Sequence, residues 1–148
     1  MNTDQSSNPK GLKHGELTEK IIQVFYEVYN ELGHGFLESV YRNAMEIGLR
    51  QSGLIVTREL PIAVWFRGED VGDFRADLIV QELVLLELKT SESISKSHEA
   101  QLYNYLRATQ VEVGLLLNFG HSPSFRRIVF DNEKKKICVH PRSSAVGI

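Results

Sequence analysis

The stretch Leu83-Val84-Leu85-Leu86-Glu87-Leu88-Lys89 decides how this chain is to be read. Four aliphatic residues run together before the first charge, which is the pattern of a strand covered on both faces. Side chains alternate along a strand, so Leu83, Leu85, Glu87 and Lys89 share one face. Glu87 and Lys89 then lie about 7 Å apart along it. Removing a carboxylate and an ammonium from water is unfavourable unless they are paired or hold something. The residues alone allow a structural ion pair at a strand end, or one wall of a binding site.

Ten residues upstream, Asp77 sits in Phe74-Arg75-Ala76-Asp77-Leu78-Ile79-Val80, a second strand pattern. If the two strands form a hairpin, the parity of the turn decides where Asp77 goes. An odd connection, residues 81–83, puts Asp77 directly across from Glu87 on the same face. A two-residue turn would send it to the other face. The odd register is expected. Two carboxylates and a lysine then converge at one end of the hairpin. That is a hard-oxygen site suited to Mg²⁺, with the lysine able to hold or activate a water.

Downstream, a polar, serine-rich loop over residues 90–97 leads to a helix predicted over 97–108, whose apolar side is Leu102, Tyr105 and Leu106. Gln101 and Tyr105 stand at i and i+4, with His98 one turn earlier, on a common face. Taken alone such residues cap or pack; beside a carboxylate–lysine strand they could orient a phosphate or a water. Glu38, in Gly35-Phe36-Leu37-Glu38-Ser39-Val40-Tyr41, falls early in another predicted helix, where a glutamate ordinarily complements the macrodipole.

The rest of the chain frames these residues. Leu17, Ile21, Val24, Phe25, Val28 and Leu32 recur at three- and four-residue spacing, predicting a helix over 19–32 with Thr18 as N-cap and Gly33 as its stop. A second helix is expected over 36–52. Strands are predicted over 55–60 and 62–67, parted by Pro61 at an edge or bulge, and over 71–80, with a turn at Gly68-Glu69-Asp70. Strands over 111–118, 125–130 and 136–140 follow. The last two form a hairpin around residues 131–134, with Lys134-Lys135-Lys136 as a solvated turn. The order is α-α-β-β-β-β-α-β-β-β, an α/β chain with a mixed sheet flanked by helices.

With 148 residues, the chain is one domain. Residues 1–14 read as a polar arm, 15–141 as the domain and 142–148 as a frayed tail. A net charge of −2 argues against binding nucleic acid by bulk charge. The single cysteine, Cys138, allows no internal disulfide and suits a reducing, cytoplasmic setting. No apolar run is long enough for a bilayer, so no membrane partner is expected. The five histidines show no zinc spacing.

Gly35-x-x-Glu38-x-x-Tyr41 resembles the signature of the GxxExxY proteins, which belong to the PD-(D/E)XK nuclease superfamily with its restriction-endonuclease-like fold. The resemblance runs from about residue 17 to residue 130. It includes Phe74-Arg75-Ala76-Asp77, Glu87-Leu88-Lys89, Gln101 with Tyr105, and Leu115-Leu116-Leu117-Asn118-Phe119-Gly120. It implies a mixed sheet of four or more strands flanked by helices. It implies Asp77 and Glu87 as metal ligands, Lys89 as the catalytic lysine and Glu38 as a helix-borne acid near the metal. Gln101 and Tyr105 match the Gln-x-x-x-Tyr motif of some superfamily nucleases. The implied reaction is Mg²⁺-dependent hydrolysis of DNA or RNA phosphodiesters by a metal-activated water, with Mn²⁺ able to substitute. Ala76 stands where the superfamily has a proline. So small a chain has little surface to grip a duplex, so a second copy or a protein partner is expected. The alternative is a non-catalytic nucleic-acid- or protein-binding module that retains the nuclease fold.

Overall fold

The computed structural model describes residues 12–135. Helices α1 (Gly15–Leu32) and α2 (Glu38–Gln51) precede strands β1 (Val56–Phe66), β2 (Glu69–Val80) and β3 (Val84–Lys89). Helix α3 (Lys96–Arg107) and strands β4 (Val113–Phe119) and β5 (Pro123–Val129) follow. The five strands form one sheet in chain order; all neighbours are antiparallel except β3 and β4. Helices α1 and α2 cover one face, where Ile21, Phe25, Tyr41 and Met45 meet Leu86, Leu88, Leu115 and Leu117. Helix α3 covers the other, where Leu102 and Leu106 meet Leu85, Leu116 and Ile128. The α/β class and the mixed, helix-flanked sheet agree with the expectation.

Several local expectations are corrected. Helix α1 begins four residues early, at Gly15, and Thr18 is not its cap; its hydroxyl donates back to the Gly15 carbonyl from inside the helix. The two strands expected on either side of Pro61 are one, β1, which lies at the sheet edge where a missing N–H is harmless. The irregularities fall instead at Glu59, which takes a φ of 49° and is skipped in the pairing with β2 without a change of register, and between Val64 and Trp65, where the register shifts. The following turn is Arg67-Gly68, both at positive φ between the paired Phe66 and Glu69, rather than residues 68–70. Lys135 is not solvated, because its Nζ donates to the Thr109 and Val111 carbonyls at 2.8 Å. The strand expected over 136–140, Cys138, the arm up to residue 11 and the tail over 142–148 lie outside the described residues.

Two features set the geometry around Asp77 and Glu87. First, the β2–β3 connection is the odd one: Val80 pairs with Val84, Ile79 with Leu85 and Leu78 with Leu86. Second, β1 and β2 outrun the sheet. Strand β2 pairs with β3 over three residues only, while its pairing with β1 continues to Glu69. The outer half is a two-stranded arm. Strict alternation would place Ala76 with Leu78, yet Ala76 packs under α3 as Ile79 does. The alternation slips at Asp77, opposite Glu59, and turns the arm so that Phe74 also faces α3.

Candidate active site

The β2–β3 ladder stops at Leu78–Leu86, and carboxylates continue it. The Leu88 N–H donates to Asp77 Oδ2 at 2.8 Å, and the Asp77 N–H donates to Glu87 Oε1 at 3.4 Å. Each acid is thus held on the other strand's backbone, with its carboxyl group fixed at the point where the strands part. Asp77 is partly exposed and Glu87 is buried, at 7% exposure.

Lys89 follows Glu87 by one full alternation, and its Nζ lies 3.5 Å from Gln101 Oε1. Gln101 stands one helical turn before Tyr105, close enough to oppose the rise in the Tyr105 pKa. Tyr105 stacks on Phe74 with ring centroids 3.8 Å apart and planes within 4°. A continuous line of contacts therefore leads from Lys89 through one face of α3 to the arm. His98, expected on the same face, is spent elsewhere. Its Nδ1 accepts the Ser95 N–H while Ser95 Oγ accepts the His98 N–H, a reciprocal cap at the start of α3.

Helix α2 supplies a residue the sequence reading missed. Arg42 Nη1 lies 3.8 Å from Asp77 Oδ1, and its Nη2 lies 3.2 Å from Glu59. Arg42 stands four residues after Glu38, on the same helical face; that spacing was the available signal. Glu38 itself is exposed in the first turn of α2. Its charge reaches Glu87, but it does not join the close pair. Among the described residues no group of three or more His, Cys, Asp or Glu side chains is gathered for a metal. The rest of the Gly35-to-Tyr41 signature has a structural use. Buried Tyr41 donates its hydroxyl to the Gly33 carbonyl at 2.6 Å and accepts the Phe36 N–H at 3.3 Å, which ties down the α1–α2 link.

The electrostatics follow from this packing. Burial, then the Asp77 charge, pushes the Glu87 carboxyl up to about 8, although Lys89 opposes the shift. Burial also raises Asp77, against the Leu88 N–H and Arg42. Tyr105 is raised by burial and then by Glu87, so it remains a neutral phenol. Two carboxylates that resist sharing negative charge form a place for a proton or a cation. A divalent ion fits this donor set. Mg²⁺ keeps several waters and commonly takes one or two protein carboxylates, with substrate phosphate completing its shell.

A family model described as the PD-(D/E)XK nuclease superfamily matches residues 15–128. No curated protein matches. Among solved structures, the crystal structure of SSO0001 is similar at TM-score 0.47 and 19% identity, over 83% of this chain. The match spans 62% of that longer chain. Among the described residues no helix is long and apolar enough to cross a membrane.

Proposed function

Because the chain belongs to the PD-(D/E)XK nuclease superfamily, we propose that it is a divalent-metal-dependent nuclease that hydrolyses phosphodiester bonds of DNA or RNA, with Mg²⁺ as its ion and Mn²⁺ as a substitute. One observation carries this reading: Asp77 and Glu87 are locked across the end of one ladder, with Lys89 one alternation away. Asp77 and Glu87 are the proposed ligands. Glu38, exposed in the first turn of α2, would add its negative charge to the same site.

When bound, the ion supplies Lewis acidity, which lowers the pKa of water and offsets charge building on phosphate. The chain's own residues do the rest. Lys89 brings a positive charge to the face where the phosphate arrives, and Gln101 fixes the direction of its ammonium. Tyr105, held neutral, donates a hydrogen bond without adding negative charge. Arg42 neutralises Asp77 before the ion arrives and adds a second cation for the phosphate. Within the superfamily we place the chain with the GxxExxY proteins, on Gly35, Glu38 and Tyr41. The domain is taken as residues 15–141, acting in the cytoplasm on nucleic acid, with a second copy or a protein partner to widen the grip. No observation favours a non-catalytic module that only retains the fold.

Thermal melting in EDTA and then in excess Mn²⁺ tests the site. The parent should gain stability by RT ln(1 + [L]/Kd). Asp77→Asn should lose that gain. An unchanged Mn²⁺ shift in Asp77→Asn removes Asp77 from the site, and no shift in the parent removes the site itself.

A further inference from the structure

Beyond the carboxylates, the line of contacts through α3 ends at a cavity. It lies between the β1–β2 arm and the last turn of α3, with a volume of about 460 Å³. Val71, Phe74 and Tyr105 form apolar walls; Asp73, Asn104 and Arg107 stand at its rim. Val71 is 60% exposed, so the arm carries an apolar wall that nothing among the described residues covers. Arg107 donates to Asn104 Oδ1 at 3.1 Å, and both residues line the same opening.

We infer that this cavity is a subsite for one unpaired nucleobase of the strand being cut. The inference rests on the nuclease reading, and it deepens it by naming the substrate as single-stranded or frayed at the cleavage point. Four features carry it. A row of neighbouring side chains, Lys89, Gln101, Tyr105 and Phe74, joins the carboxylate end of β3 to the cavity wall. Phe74 is three residues from Asp77 along β2, about 10 Å at the rise of a strand, which places the cavity one or two nucleotides from the carboxylates. Its lining is mostly apolar and includes the Phe74–Tyr105 pair, whose shared faces are taken up by each other, so a base would extend that stack from its outer side; stacking tolerates every base because each has a π-face. Its rim holds donors (Asn104, Arg107) and an acceptor (Asp73) for base edges, with Arg107 also available to a phosphate. A base inside an intact duplex is stacked on both faces and cannot enter a recess; it must first leave the helix.

The test is fluorescence anisotropy in Ca²⁺ with labelled twelve-nucleotide probes: single-stranded DNA, single-stranded RNA, a blunt DNA duplex and a strand of abasic deoxyribose phosphates. The parent should bind a base-bearing single strand roughly tenfold more tightly than the abasic strand, and more tightly than the duplex. The DNA and RNA arms identify which sugar the site prefers. Phe74→Leu, which removes one wall, should shrink the base-dependent ratio to below about threefold. Because Phe74 also packs against α3, Asn104→Ala at an exposed position is the second variant; it should reduce the same ratio with an unaltered melting temperature. Equal affinity for abasic and base-bearing strands overturns the subsite. So does a full ratio in folded Phe74→Leu and Asn104→Ala. Cleavage of the same probes in Mn²⁺ separates the two claims. Base-selective binding without cleavage overturns the nuclease reading and leaves the subsite standing; cleavage without base selectivity does the reverse.

Discussion

Glu87→Gln is the most informative single change. It replaces a carboxyl that burial and Asp77 push up to about 8 with an isostere that cannot ionise. Glutamine keeps an oxygen for the Asp77 N–H, so the end of the ladder is retained. In the unfolded chain the glutamate titrates near 4.5. Its folded value is higher, so the stability it contributes is complete below pH 4.5 and is lost as pH rises through about 8. At 1.36 kcal/mol per unit, the gap amounts to about 5 kcal/mol, a large part of the roughly 5–15 kcal/mol that holds a typical domain together. Glutamine has no such dependence. In EDTA, Glu87→Gln should therefore gain on the parent by about 4 kcal/mol between pH 5 and pH 9, the remainder having been lost below pH 5. Urea unfolding of both proteins at pH 5, 7 and 9 measures this directly. Excess Mn²⁺ at pH 8 should narrow the difference, because only the parent then has both carboxylates to offer. Parallel pH profiles in EDTA, differing by less than about 1 kcal/mol across the range, would refute the buried like-charge pair.

Two further changes probe how the site is held. Tyr41→Phe leaves the Gly33 carbonyl and the Phe36 N–H without their partner, and should lower unfolding free energy by about 1–3 kcal/mol in urea; a loss under about 0.5 kcal/mol would show that the link does not depend on this hydroxyl. Gly120→Ala drives a Cβ into the Ser91 carbonyl where the β3 and β4 exits cross, and backbone cannot swing aside as a side chain can. It should destabilise the domain by at least about 2 kcal/mol; a melting temperature equal to the parent's would mean that the two exits separate easily.

Much of the carboxylate–lysine geometry was legible because it depends on local pattern. The apolar run before Glu87 identified a buried strand, and the odd count of residues 81–83 put Asp77 across from Glu87. Gln101 and Tyr105 followed from helical spacing. What stayed hidden depends on contacts distant in sequence. Arg42 gains meaning only once α2 packs beside the parted ends of β2 and β3. His98 looked like a third member of the α3 face, but an N3 side chain that can reach back to its own cap does so. Thr18 has the composition of a cap, yet the helix runs through it because Gly15 and Glu16 accept helical geometry and His14 takes the left-handed turn before them. The slip in alternation at Asp77 leaves no mark on the hydrophobic pattern, since Ala76 suits either face. The arm and its cavity, which depend on that slip, could not be read from residue types.

The most direct measurement is hydrolysis of end-labelled single- and double-stranded DNA and RNA in Mg²⁺ or Mn²⁺, by the parent and by Lys89→Ala purified side by side. The proposed centre requires metal-dependent cleavage by the parent. It requires Lys89→Ala to keep the parent's fold and Mn²⁺ melting shift while losing at least about a hundredfold in rate, the typical contribution of one positioned charge in a reaction centre. Equal cleavage by the two proteins, or none by a parent that binds Mn²⁺, would contradict it.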